Sequence, residues 1–472
     1  MTIMRKIYIA IIMLLTLPMT MGAQALKGSY FLDNSITRTK LNPAFAPRAN
    51  YFSLPVISNF GIGLYGNIGP ADFLYPIDGT LYTYLNQKVS SEEFAKNLAK
   101  RPGMDFEVDT DILGFGFYTS KDAFWSFDLG LKLDGTFGVP RDLFIFMKQG
   151  MPDPEQVYSL SGFDIYQTSS VYASLGHSRD LSRWVKGLRV GAKFKFYVPV
   201  NHIGMTLGDS QLSMTQDKWT VKTNASAVLA TSFLKMHPEA MTGESETELL
   251  DMNFANIGPA GYGFTFDLGA EYRLNVGSVV DGMTFSLAAT DLGAYFFKSA
   301  QQFASSGEAA YEGLKDIEFG GNMDFTENIN ALMDDFLALA DFEEVAGAKS
   351  YRLSTGPKIY AGVEYPFLKD KMSAGLLYSA KFGYSRMINE LTLSYNLNPA
   401  KWFNFGVNWS FLNAYKTIGW MMEFTPKAGV NFFIGSDYTF MEVMPKIFLP
   451  VDKFWVNARF GLTFAVGTKH RP

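Results

Sequence analysis

Between residues 454 and 466 every even position is apolar (Phe454, Val456, Ala458, Phe460, Leu462, Phe464, Val466), while Asn457, Arg459, Gly461 and Thr463 stand among the odd ones. Successive side chains of an extended chain point to opposite faces. A period of two held this long therefore sets one face against an apolar phase and the other against a polar one. The length is what a tilted strand needs to cross a bilayer. Phe52, Leu54, Val56, Phe60, Ile62 and Leu64 make a similar row. So do Trp125, Phe127, Leu129, Leu131 and Leu133, opposite Asp128, Lys132 and Asp134. Leu188, Val190, Ala192, Phe194, Phe196 and Val198 face away from Arg189, Lys193 and Lys195, and Tyr262, Phe264, Phe266, Leu268, Ala270 and Tyr272 from Asp267, Glu271 and Arg273. Further rows run through 359–365, 372–382, 391–397 and 403–411. Strands of about 12 residues are roughly twice the usual length in a soluble sandwich.

The N-terminus suggests which phases these are. Arg5 and Lys6 precede an apolar run over 7–19, and the small residues Gly22, Ala23 and Ala25 follow. That is the layout of a cleavable secretory signal over residues 1–25, with a single membrane helix as the competing reading. The 472-residue chain has no cysteine, which excludes a lipid anchor on an N-terminal Cys and a disulfide framework. Its formal charge of -5 becomes about -7 without the signal, and this mild acidity gives no hint of a nucleic-acid partner. After residue 25 no apolar run approaches the length of a membrane helix. Yet the chain is 15% aromatic and only 18% charged, and its 43 glycines often stand opposite large aromatics. In lipid every backbone polar group must be paired, which only helices and closed sheets achieve. With helices set aside, the expectation is an all-β transmembrane up-and-down antiparallel barrel in lipid, spanning 51–467, in the outer membrane of a Gram-negative cell.

The connections point the same way. If the first strand runs outward, the short links at 120–123, 215–217, 368–371 and 398–401 fall on one side, and the long inserts near 66–103, 139–162, 230–260 and 297–354 on the other. Outer-membrane barrels have short periplasmic turns and long external loops. The count is 14 strands, or 16 depending on weak segments near 205–228 and 413–437, with both termini periplasmic. Two inserts read as helical. Ser90 and Glu93 have capping-box spacing ahead of Phe94 and Leu98. Ile329, Leu332, Met333, Phe336, Leu337 and Ala340 form an apolar stripe on a helix carrying Asp334, Asp335 and Asp341. Each stripe either docks on the barrel rim or binds a partner protein.

Ahead of the first row lies Leu41-Asn42-Pro43-Ala44-Phe45-Ala46-Pro47, whose two prolines exclude it from a central strand. Asn42-Pro43-Ala44 resembles the N-terminal hatch motif of the FadL-like outer-membrane proteins. Asp291-Leu292-Gly293, followed by Tyr295, Phe296 and Phe297, is similar to a recurring feature of their uncharacterised relatives in Bacteroidetes-type bacteria. The resemblance implies a 14-stranded barrel with residues 26–50 as a periplasmic hatch tucked inside. It also implies passage of small hydrophobic or amphipathic compounds through the hatch region or a gap in the wall. Similar barrels in these bacteria also serve as fixed partners of larger outer-membrane machines for protein secretion or barrel assembly. A partner barrel or lipoproteins would then be the expected company.

Charges of both signs on the inward face (Asp128, Lys132, Arg189, Lys193, Asp267, Glu271, Arg273) form either a paired network holding a plug and its neighbouring strands or the lining of a selective pore. Catalysis has little support. The four histidines His177, His202, His237 and His470 show no metal-ligand spacing. His177, Ser178 and Asp180 are turn neighbours that cannot easily take triad geometry, and no residue pattern calls for a cofactor. Two functions stand side by side: a hatch-gated passive channel, and a non-conducting scaffold within a membrane complex.

Overall fold

The structure, a computed structural model, describes residues 26–466 apart from 34, 55–57, 151–155, 216–217, 237–249, 278, 312–342, 348, 369–370, 385, 401, 412–416, 427–428, 440–442, 445–448, 451–452 and 454. The alternating rows become strands of one closed sheet. In chain order these are β1 (Asn50–Ser53 with Phe60–Gly66), β2 (Gly103–Ser120), β3 (Ala123–Gly138), β4 (Asp164–Asp180), β5 (Leu188–Leu207), β6 (Gly261–Arg273) and β7 (Thr284–Phe297). There follow β8 (Tyr351–Ser354 with Lys358–Phe367), β9 (Met372–Phe382), β10 (Met387–Ala400), β11 (Phe403–Phe411), β12 (Thr417–Phe424), β13 (Val430–Thr439) and β14 (Trp455–Val466). Each strand pairs antiparallel with the next. β14 returns to β1, with Asn50 opposite Val466 and Phe60 opposite Phe460. The result is an all-β, 14-stranded antiparallel barrel with no free edge in its wall.

The pleat sorts the side chains as the sequence pattern requires. Phe194, Phe266, Leu268, Leu287, Leu376, Leu393 and Phe460 are exposed on the outer surface, whereas Lys193, Asp267, Asn457 and Arg459 are buried inside. Among the described residues no helix is long and apolar enough to cross a membrane.

β1 is interrupted. Ser53 lies opposite Thr463 of β14, and seven residues later Phe60 lies opposite Phe460, with Leu54, Ser58 and Asn59 outside the strand between them. Ser58 and Asn59 are buried. Asn59 Nδ2 donates to Asp111 Oδ2 at 2.7 Å, and Asn59 Oδ1 accepts from a guanidinium nitrogen of Arg459 at 2.5 Å. Neighbouring strands thus hold the interruption by side chains where the backbone ladder lapses.

Links at one end of the barrel are short: 120–123, 180–188, 273–284, 367–372, 400–403 and 424–430. The other end carries the inserts 66–103, 138–164, 207–261 and 297–351, together with shorter links at 382–387, 411–417 and 439–455. The expected short link at 215–217 is corrected by this arrangement, because it belongs to the insert end. β5 outruns its barrel partner, and Asn201 to Leu207 pair instead with the strand Trp219–Thr231, which pairs along its length with Gln301–Tyr311. This flap, widened by Gln211–Met214 and Gln156–Ser159, stands above the wall, which is why the count is 14 and not 16. Helix Arg141–Gln149 lies on it, Phe146 packing with Tyr158, Met214 and Trp219. Phe144 of the same helix joins a second cluster of Tyr75, Tyr84, Val89, Phe94 and Leu98 around the helix Ser91–Asn97, whose N-cap Ser90 Oγ accepts from the Glu93 N–H. The stripe Ile329, Leu332, Met333 and Phe336 lies outside the described residues.

Candidate functional site

The barrel interior is occupied by the chain's own residues 26–33 and 35–49. Pro43 and Pro47 have no N–H to offer a ladder, so this stretch runs as two 3₁₀ turns, Lys27–Ser29 and Thr37–Lys40, joined by irregular backbone. Leu26, Tyr30, Leu32, Leu41, Asn42, Ala44 and Phe45 are buried. An irregular buried segment must find hydrogen-bond partners around it, and the wall supplies them.

Four ties span the circumference. At the first, Lys27 Nζ donates to the Glu390 carboxylate and to Tyr438 Oη, the latter at 2.7 Å. The N–H groups of Lys27 and Gly28 donate to the two oxygens of Asp437, each at 2.8 Å. At the second, Arg38 meets Asp33 at 2.5 Å and Glu271 of β6 at 3.7 Å, with its guanidinium 3.9 Å from the centre of the Phe45 ring. The third is Lys40, which reaches Asp111 at 2.6 Å, Asp109 at 3.4 Å and Tyr172 Oη at 3.3 Å beside the interruption in β1. The fourth is the Asn42-Pro43-Ala44 turn. Asn42 Nδ2 donates to the carbonyls of Ala270 (3.2 Å) and Leu287 (3.4 Å), Asn42 Oδ1 accepts from the Ala44 N–H (2.9 Å), and Ser178 Oγ donates to the Ala44 carbonyl (2.7 Å). Wall glycines make this contact feasible. A Cβ on Gly191 would stand 2.1 Å from the Pro43 carbonyl oxygen, and one on Gly269 2.0 Å from Asn42 Oδ1.

Burial works against the charge on Arg38 and Lys40. The carboxylates beside them, Asp33 and Glu271 for Arg38, Asp109 and Asp111 for Lys40, outweigh it and raise both pKa values. Burial likewise opposes ionisation of Asp33, but Arg38 and Arg48 hold its carboxyl below the usual range.

Beside the segment lies a cavity of about 70 Å³ lined by Lys40, Glu107, Asp128, Lys193, Asp291 and Lys358 among others, room for a few waters among polar partners. Its charges are matched. Lys193 meets Asp128 at 3.1 Å, Lys195 meets Asp267 at 2.8 Å and Asp291 at 2.6 Å, and Lys132 meets Asp134 at 3.0 Å. Buried ions are tolerable only when partnered in this way. From Tyr172 toward the insert end runs a series of rings in successive contact: Tyr197, Tyr295, Phe297, His202, Tyr166 and Tyr384.

Of the residues singled out in the sequence, Asn42, Pro43 and Ala44 lie within the barrel. Asp128, Lys132, Lys193 and Asp267 join the ion pairs just given. Arg189 pairs with Asp180 at 3.5 Å, and Glu271 faces Arg38. Arg273, two residues beyond Glu271 on the same face of β6, is exposed at the short-link end and acts electrostatically on the Glu271 carboxylate. The residues that tie the segment down, Lys27, Arg38, Lys40, Asp109, Asp111, Glu390 and Asp437, escaped the sequence reading. One signal was available: Asp105, Glu107, Asp109 and Asp111 alternate along β2 and give it an acidic inward face that needs cations from elsewhere.

A family model described as "Family of unknown function (DUF5723)" matches residues 43–437. No curated protein matches the chain. Among solved structures it is similar to the Ralstonia pickettii toluene transporter TbuX (9% identity, 92% of this chain and 95% of that chain, TM-score 0.40). It is also similar to the Pseudomonas putida toluene transporter TodX (10%, 96% and 96%, 0.36) and to the translocator domain of the autotransporter NalP from Neisseria meningitidis (9%, 89% and 88%, 0.30).

Proposed function

Since the chain belongs to DUF5723, a family of unknown function, its role must come from its own geometry, and we propose a passive outer-membrane channel for small hydrophobic or amphipathic compounds, gated by residues 26–49. The outer face is apolar around a wall without edges, which suits lipid and no aqueous compartment. The short-link end faces the periplasm, and residues 1–25 are the export signal.

The observation that carries the gating is the way the segment is held. Among the described residues it shares no ladder with the wall and is fixed by separable side-chain ties, so it can leave as a unit while all 14 strands stay paired. A route for an apolar compound adjoins it. On the outer surface a depression of about 400 Å³ is lined by Ala270, Tyr272, Phe285, Leu287, Gly362 and Val363. Behind it the wall is one backbone thick: a Cβ on Gly362 would meet the Tyr30 ring at 2.7 Å, and one on Gly375 the Phe31 ring at 2.4 Å. Tyr30, Phe31, Leu41 and Phe45 form the apolar cluster on the inner side.

Removing residues 26–49 tests the reading. In planar bilayers the full chain is expected to stay closed and the deletion variant to conduct. A deletion variant that still folds into a heat-modifiable barrel yet passes no current defeats it. The scaffold reading draws on a different feature, the ordered cap at the insert end with its two apolar clusters. Purification in mild detergent with partner proteins attached, and no conductance after deletion, would favour it.

A further inference from the structure

The two ends of the barrel carry opposite charge. The insert 298–350 holds eleven acidic and three basic residues. At the other end every short link contains or adjoins a lysine or arginine: Lys121, Arg183 with Lys186, Arg273, Lys371, Lys401 and Lys427. Lys121, Arg179, Arg183, Lys186 and Lys371 are exposed, and among the described residues none has a carboxylate at salt-bridge distance. Of the nearby acids, Asp122 is exposed beside Lys121, whereas two others are partly committed. Asp180 Oδ1 accepts from the Ser182 N–H at 2.8 Å and Asp281 Oδ1 from the Val276 N–H at 2.8 Å, holding their turns.

Large apolar side chains share this rim. Trp184 is 76% exposed, Val279 86%, Leu368 62% and Trp402 54%, each on a different short link. Fully hydrated, such a ring is unfavourable. At the level of lipid headgroups it is not, because tryptophan and long basic side chains anchor there with their apolar parts toward the acyl chains.

Resting on the outer-membrane reading above, we infer that the short-link rim is a collar that binds anionic phospholipid headgroups of the adjoining leaflet. The distribution decides between lipid and an acidic protein. A protein partner covers one arc of a rim, whereas the described cations follow the links after β2, β4, β6 and β8, and the exposed Trp402 lies on the link after β10, more than half of the circumference. A plane of headgroups meets a barrel in that way. Each exposed cation near such a surface gains by attraction, and salt screens the effect.

The test uses the full chain in nanodiscs of equal phosphatidylglycerol and phosphatidylcholine, with the immobilised fraction of each spin-labelled lipid measured by electron paramagnetic resonance. The expected result is enrichment of phosphatidylglycerol by about threefold at 0.1 M salt, falling toward unity at 1 M. The combined variant Arg183→Gln, Lys186→Gln, Lys371→Gln should lose most of that preference, and Lys298→Gln with Lys349→Gln at the insert end should keep it. Insertion with no lipid preference overturns the inference alone. Capture of an acidic protein through Arg183 and Lys186 without lipid preference overturns it as well, in favour of protein docking. Failure to form a heat-modifiable barrel in either lipid overturns the outer-membrane reading and this inference with it.

Discussion

The outward and inward faces of the same strands obey different rules. On β6, Phe264, Phe266 and Leu268 face out and are interchangeable in kind, since any apolar side chain of suitable length satisfies an apolar surround. Between them Asp267 faces in and has one particular cation, Lys195. The outer face specifies that there is a barrel, and the inner face specifies which barrel and what fills it.

The comparison is broken most sharply from inside. Lys195→Met leaves Asp267 and Asp291 buried without their shared cation, and the expected loss is about 3–5 kcal/mol, read from denaturant unfolding in detergent. A loss below about 1 kcal/mol would mean that lumen water, not pairing, carries these charges. From outside, Leu287→Arg at an exposed position of β7 is expected to cost about 2–4 kcal/mol in lipid, while Leu287→Phe stays near zero. If Leu287→Phe also destabilised the barrel, the outer face would be more particular than argued.

Smaller effects separate the lumen segment from its wall. Asn42→Ala removes two donations to wall carbonyls and the acceptor that holds the Ala44 N–H. It should weaken the segment's hold by about 1–3 kcal/mol. Faster amide exchange over 26–49 at unchanged barrel heat-modifiability would check this. Smallest is a pH effect. Because Arg38 and Arg48 depress the Asp33 pKa, the tie it makes is complete above the ordinary carboxylate range of about 4 and is lost as pH falls through the lowered value. Both of its cations lie on the same segment, so acidification below about pH 4 should loosen the turn closed by Asp33, Arg38 and Arg48 inside the lumen, read as faster amide exchange there, and Asp33→Asn should flatten that dependence. Asp33 is partly exposed, so solvent keeps the effect modest.

Legibility in the sequence followed the same division. Outward rows such as Phe194, Phe196 and Val198 announce themselves, because period two with one class of residue needs no knowledge of neighbours. The same period misleads at 219–231. There Trp219, Val221, Ala225 and Leu229 alternate like a wall strand, but their buried face is covered by the cap helix and the flap. Periodicity reports that a face is covered, not by what. The lumen segment was harder still. Lys27 and Asp437 are 410 residues apart, and nothing local in either names the other.

The closing seam between β1 and β14 fixes an order of assembly. Residues 26–49 precede β1, yet Glu390 and Asp437, their anchors, belong to β10 and β13, and the ladder that shuts them in needs β14. While the polypeptide emerges N-terminus first, Tyr30 and Phe31 have no home until Tyr360 and Leu377 arrive on β8 and β9, nor Leu26 and Leu32 until Met421 and Phe433 arrive on β12 and β13. Contacts of such long sequence separation form slowly. A truncation lacking β14 would therefore yield an open ribbon with its core spilled, not a smaller pore.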